Sequence, residues 1–136
     1  EKIGAQLRSL GFLLPVIRHP TALISPTATI GDGTLVMPRV VVNAEARIGE
    51  LVILNTGAIL EHDGIVGTAA HLAPGTVLAG NVQVGARTFL GVGTVARPGV
   101  TIGADVMAGA GSVIVSEIQS NVTIVGVPAR PIARSS

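Results

Sequence analysis

Residues 24–54 read ISPTATIGDGTLVMPRVVVNAEARIGELVIL, and every sixth residue is aliphatic: Ile24, Ile30, Val36, Val42, Ile48 and Leu54. The same phase runs on unbroken through Leu60, Val66, Leu72, Leu78, Val84, Leu90, Ala96, Ile102, Ala108 and Ile114. Four places after each lies a second small or β-branched residue, as at Ala28, Thr34, Val40, Ala46, Val52 and Ala58. The place directly after is often glycine, as at Gly31, Gly49, Gly67, Gly85, Gly91, Gly103 and Gly109. Fixed self-similarity at a period of six marks a parallel β-helix. Six is a multiple of the strand period of two and does not fit the 3.6 of an α-helix. One inward aliphatic per short strand, followed by a bend, lets three hexads close a triangular coil of eighteen residues. Sixteen hexads then make five coils and a third. The glycines are expected to supply bends that a β-carbon would strain. A β-sandwich does not hold one phase over about ninety residues.

Composition points the same way. The 136 residues suffice for one domain, and aromatic content is 1%, with Phe12 and Phe89 alone. A globular core uses aromatics for bulk; a narrow prism of stacked Val, Ile, Leu and Ala does not need them. A net charge of +1 with 12% charged residues provides no basic field for nucleic acid. The absence of cysteine excludes disulfides and thiolate metal sites. No apolar run is long enough to cross a bilayer and no signal peptide is visible, so a cytoplasmic protein is the default. So few charges on a prism leave wide apolar faces, which monomers rarely expose. Self-association about a three-fold axis is therefore expected.

Before the repeats, Ile3, Leu7 and Leu10 at helical spacing predict an amphipathic helix over residues 1–10 that ends at Gly11. Phe12 to Ile17 reads as a strand interrupted by Pro15. Residues 1–20 are expected to be either a cap on the first coil or the end of a preceding domain. The β-helix is assigned to residues 21–118, with no insertion to interrupt its phase, and a tail to residues 119–136. The hexad pattern dissolves after Ile114.

One hexad differs from the rest: Leu60-Glu61-His62-Asp63-Gly64-Ile65 gathers three ionisable side chains in a chain that has few. Imidazole titrates near neutral pH, and a neighbouring carboxylate fixes its tautomer and raises its basicity. The bland alternative is a solvated turn. Stacking at eighteen residues places His62 between Ala44 and Gly80, with Pro98 beyond, and Asp63 between Glu45 and Asn81. Glycine above the histidine leaves room beside the imidazole and lets a ligand approach the backbone. His71 lies half a coil from His62, so the two meet only across a subunit interface.

The hexads, Asn55-Thr56, Glu61-His62-Asp63, Gly80-Asn81 and Gly126-Val127-Pro128-Ala129-Arg130 together resemble the hexapeptide-repeat acyltransferases. The likeness is to the sialic acid O-acetyltransferase and nucleotide-amino-sugar N-acetyltransferase subfamily, and it covers about residues 19–132. The resemblance implies an all-β, left-handed parallel β-helix in homotrimers, with active sites between adjacent prisms and acetyl-CoA as donor. It implies a general base at His62, polarised by Asp63 with help from Glu61, and direct transfer to a sugar amine or hydroxyl without an acyl-enzyme. His71 matches a residue near the acetyl-CoA end of the site, Gly80 an amide at the thioester, and Asn55 a residue that places the acceptor. Gly126, Val127, Pro128 and Arg130 match a segment packed along the cofactor. Members usually carry an N-terminal Rossmann-like domain for the nucleotide of the substrate, of which residues 1–17 resemble the last helix and strand.

Arg130 and Arg134 are candidates for cofactor phosphates, whereas Arg87 and Arg97 read as surface charges and His19 as structural. Two other classes fit the fold. A zinc carbonic anhydrase needs converging histidines, and the spacings of His19, His62 and His71 do not place two on one face, so no metal is expected. A non-catalytic scaffold would keep the hexads without needing the Glu-His-Asp triplet.

Overall fold

The computed structural model describes residues 1–133. It is the expected solenoid: short parallel strands stacked into a triangular prism with three sheets as its faces, a left-handed β-helix of about six turns. Face A carries Ile17–Arg18, Leu35–Val36, Ile53–Leu54, His71–Leu72, Phe89–Leu90, Met107–Ala108 and Thr123–Val125. Face B runs from Leu23–Ile24 to Val113–Ile114, and face C from Thr29–Ile30 to Thr101–Ile102. Register is one coil: His71 lies between Ile53 and Phe89, each eighteen residues away. Backbone bonds join coil to coil, as in Ile53 N–H to Ala70 O (3.0 Å) and His71 N–H to Thr88 O (2.9 Å).

The second residue of each central strand points inward. Leu54, Leu60, Leu72, Leu78 and Leu90 are at most 1% exposed. The residue four places later is buried beside them, as at Val40, Ala46, Val52 and Ala58. Each fully buried Leu or Ile contributes about 1.5–3 kcal/mol, so the two aliphatic columns read in the sequence are the core.

The glycines have a different role from the one expected. Every sixth residue from Gly33 to Gly111 has positive φ, and this is the third place after the inward aliphatic, not the first. Arg39, Glu45, Leu51, Asp63, Ala69, Asn81, Arg87 and Asp105 take this left-handed conformation at the corners alongside the glycines. The glycines directly after the aliphatic have no such φ. Instead a Cβ on Gly85 would stand 2.4 Å from the amide nitrogen of Ala104 in the next coil. They permit the coils to approach.

Beyond Ile114, where the hexad phase ends, the coil itself continues two residues short. Ile118 bridges to Ile102, and Ile124 pairs with Ala108, each sixteen residues on. Arg130–Ile132 then folds back antiparallel on Thr123–Val125.

The helix spans Lys2–Ser9 and lies along the corner between faces C and A. Buried Gly4 sits against Leu51, Arg8 pairs with Glu50 (2.8 Å), and Leu14 O accepts from Gly33 N–H (2.7 Å). The strand expected over Phe12 to Ile17 is shorter, only Ile17–Arg18. Pro15 has no N–H to donate, and only Ile17 and Arg18 enter strand pairing, with Leu35 and Val36.

Candidate active site

The Glu-His-Asp triplet forms the corner between faces B and C. Asp63 takes the positive-φ place (φ 58°) and its N–H reaches Ala44 O in the coil below (2.9 Å). Asn81 N–H holds His62 O from the coil above (2.9 Å). With the backbone fixed from both sides, His62 Nδ1 and Asp63 Oδ2 lie 2.9 Å apart, and the side chains remain 61% and 52% exposed. A carboxylate on Nδ1 holds that proton in place and leaves Nε2 as the basic atom.

Gly80 decides where that atom sits. A Cβ on Gly80 would stand 2.5 Å from Nε2 and 2.6 Å from Cε1. The imidazole itself therefore occupies the space that the glycine leaves, where room for a ligand was expected. Gly80 N–H has no hydrogen-bond partner among the described residues. Nε2 and an uncommitted amide donor thus share one open corner.

Glu61 does not join this pair. Its carboxylate accepts from Asn43 Nδ2 in the coil below (2.9 Å), so it is held by Asn43 and not by the imidazole. The stacking rule points to Asn43, eighteen residues before Glu61, although nothing in the sequence marked it as part of the site.

A second cluster lies on face A and the corner between faces A and B. Asn55 Nδ2 donates to His71 Nε2 (3.2 Å), Asn55 Oδ1 caps Thr56 N–H (2.8 Å), and Phe89 meets the His71 ring edge-on, with centroids 5.1 Å apart. Burial lowers the His71 pKa from the ordinary value of 6.5, so the ring is held neutral, as an acceptor at Nε2 must be. Phe89 was not marked in the sequence as a site residue. The segment Gly126-Val127-Pro128-Ala129 closes the top of the same side: Gly126 O accepts from Val113 N–H (3.0 Å) and Ala129 N–H returns to Val113 O (2.8 Å). The Val127–Pro128 peptide is cis. Arg130 is exposed, with Nη1 on Ala129 O (3.2 Å), and Arg134 lies outside the described residues.

One chain therefore groups His62, Asp63 and Gly80 at one corner and Asn55, His71 and the tail at another. His19 is exposed and bonds within its own loop, accepting from Thr21 N–H at Nδ1 (3.2 Å). Among the described residues no group of three His, Asp or Glu could hold a metal ion, and no helix is long and apolar enough to cross a membrane.

No family model and no curated protein sequence matches the chain. Solved structures do. PerB from Caulobacter crescentus, in complex with CoA and GDP-perosamine, is 48% identical with a TM-score of 0.96, over 97% of this chain and 64% of PerB. The acetyltransferase domain of PglB from Neisseria gonorrhoeae, also solved with acetyl coenzyme A, is 41% identical with a TM-score of 0.95, over 96% of this chain and 64% of its own. The chain carries the hexapeptide β-helix of these acetyltransferases. WeeI from Acinetobacter baumannii, 26% identical with a TM-score of 0.92 and the same shares covered, has it too. The chain spans just under two thirds of the length of each. The GDP-perosamine N-acetyltransferase of Caulobacter crescentus was also solved with one histidine replaced by alanine or by asparagine, each with CoA and GDP-perosamine bound.

Proposed function

We propose that this chain is the catalytic β-helix of an acetyl-CoA-dependent N-acetyltransferase that acts on the amine of a nucleotide-linked sugar. The observation that carries the reading is the His62–Asp63 pair with Nε2 against Gly80. It is supported by 48% identity to a protein solved with CoA and a nucleotide sugar. The acceptor nitrogen attacks the thioester carbonyl carbon while Nε2 of His62 removes its proton. The Asp63 carboxylate stabilises the imidazolium, and Gly80 N–H is a donor for the developing oxyanion. The C–S bond then breaks, and the CoA thiolate recovers the proton from His62. Asn55 and His71, with the segment Gly126, Val127, Pro128 and Arg130, serve the acceptor and donor from an adjacent subunit. A reaction that draws on acetyl-CoA belongs in the cytoplasm.

A homotrimer supplies that neighbour. The outward residues of face B are Leu23, Val41, Ile59, Val77, Val95 and Val113, and those of face A include Leu35, Ile53, Phe89 and Met107. Face C turns Thr29, Arg47, Gln83 and Thr101 outward, with Ile65 as its one apolar outward residue. At the A/B corner the positive-φ place is glycine in four successive coils, Gly57, Gly75, Gly93 and Gly111. Other corners fill that place with Arg, Glu or Asp, so φ alone does not require glycine there. A corner whose turn place carries no side chain, between two apolar faces, suits close approach at a three-fold axis.

Calorimetric titration of the protein with acetyl-CoA, paired with sedimentation, tests the reading. A trimer that binds about one equivalent per chain supports it. A trimer that binds none sinks it and favours a scaffold.

A further inference from the structure

The corner that carries His62 continues upward as three columns. Glu61 is followed at successive coils by Ala79, Arg97 and Val115, and His62 by Gly80, Pro98 and Ser116. Asp63 is followed by Asn81, Gly99 and Glu117, so the coil directly above the triplet presents Ala79 and Gly80 beside Asn81, and the Glu61 and His62 columns carry no polar side chain there. Arg97 is the first charged side chain above His62 in these columns, and its Nε donates to the carbonyl of Val115 one coil higher. That bond fixes the guanidinium plane, and the two Nη groups have no partner among the described residues. Glu117, at the top of the adjacent Asp63 column, forms no ion pair with it among those residues.

Two other arginines are committed to carboxylates. Arg87 gives Nε and Nη2 to the two carboxylate oxygens of Asp105 (2.8 and 2.9 Å) and Nη1 to Glu1 (3.4 Å), and its pKa is raised further by these partners. Arg8 is paired with Glu50. Arg97 offers an unspent fork of donors, the geometry that phosphate oxygens accept.

Length decides what it fits. Adjacent coils lie about 4.8 Å apart, which puts Arg97 about 10 Å above the level of the triplet and Val115 about 14 Å above it. The arm between the sulfur and the pyrophosphate of coenzyme A is comparable to four extended residues, about 14 Å. On the acetyl-CoA reading given above, we propose that Arg97 is the pyrophosphate anchor of the donor site, contributed by the same corner that carries the base. The surface-charge reading of Arg97 gives way to this one.

The test compares wild type, Arg97→Gln and Arg97→Lys by calorimetry with CoA, and by turnover of acetyl-pantetheine, which lacks the nucleotide. Loss of a charge-assisted fork predicts about tenfold weaker CoA binding in R97Q, at the low end for an exposed site. R97K should recover part of it, because a point charge remains without the fork. Turnover of acetyl-pantetheine should be the same in all three. Unchanged CoA affinity in R97Q would overturn the proposal, as would an equal loss with acetyl-pantetheine. If wild type binds no CoA, the acetyltransferase reading falls and this one falls with it. If wild type binds and the variants match it, only the anchor falls.

Discussion

Asp63 at a B/C corner and Ala69 at the next C/A corner have φ of 58° and 59°. Each sends its N–H to a carbonyl nineteen residues earlier, Ala44 O and Glu50 O, both at 2.9 Å. The backbone does not distinguish them. What differs is the cover: the C/A corner lies beside the N-terminal helix and its ion pairs, Arg8 to Glu50 and Glu1 to Arg87, whereas the B/C corner stands bare and carries an imidazole, a carboxylate and a glycine. A solenoid repeats its geometry, so position in the repeat cannot make a site. The side chains placed on one corner, with nothing else of the chain over them, mark the candidate site.

Emptying the B/C corner should have the largest effect. His62→Ala is expected to lower kcat by about 10²–10⁴-fold with acetyl-CoA affinity little changed; near-normal turnover would remove His62 as base. Filling it is the next test. Gly80→Ala adds a Cβ 2.5 Å from Nε2, so the ring must move, and misplacement on this scale costs about 10²-fold in kcat. The melting temperature should hold, because the ring is exposed. An unaffected kcat would show that ring and glycine need not touch in catalysis.

His71 gives a smaller and pH-dependent effect. Its folded-state pKa is depressed by burial, so the unfolded chain binds the proton first as pH falls. Its contribution to stability is therefore present above about pH 6.5 and lost as pH falls through the folded value. His71→Asn should flatten the acid side of the melting profile below that point; an unchanged slope would assign the loss to other groups. Least of all should come from the covered corner. Arg8→Gln breaks one exposed ion pair, and turnover should not change while Tm falls by about 2 °C or less. A large loss of activity there would mean that the helix acts on the site and that the two corners are not independent.

The sequence displayed the fold almost completely, because period and phase are what a β-helix is made from. It hid the handover at the top, where Ile118 and Ile124 stack on partners sixteen residues back and leave the hexad phase. It also misplaced the left-handed turns, since a glycine required by φ and one required by close approach look alike in a string of letters. The contacts of the candidate site were legible where chemistry is concentrated in adjacent residues, as in His62 and Asp63, and where the eighteen-residue step is applied, as for Gly80. Glu61 was harder. Adjacency suggested a role on the imidazole, but side chains at a corner diverge, and its partner Asn43 is a full coil away. Asn55 and His71 sit together for the same reason: sixteen residues apart, they occupy neighbouring rungs of face A and its edge.

The uninterrupted stack makes the prism a ruler graduated in whole coils. Any spacing along one edge is a multiple of a single step of about 4.8 Å, and a one-residue insertion would shift every inward side chain above it out of phase. Duplicating one coil between Asn81 and Arg97 would instead keep the core continuous while moving everything above by one graduation. The distance over which this edge can grip a molecule is therefore inherited in fixed increments, and a change in the length of what it holds comes by adding or removing a whole turn.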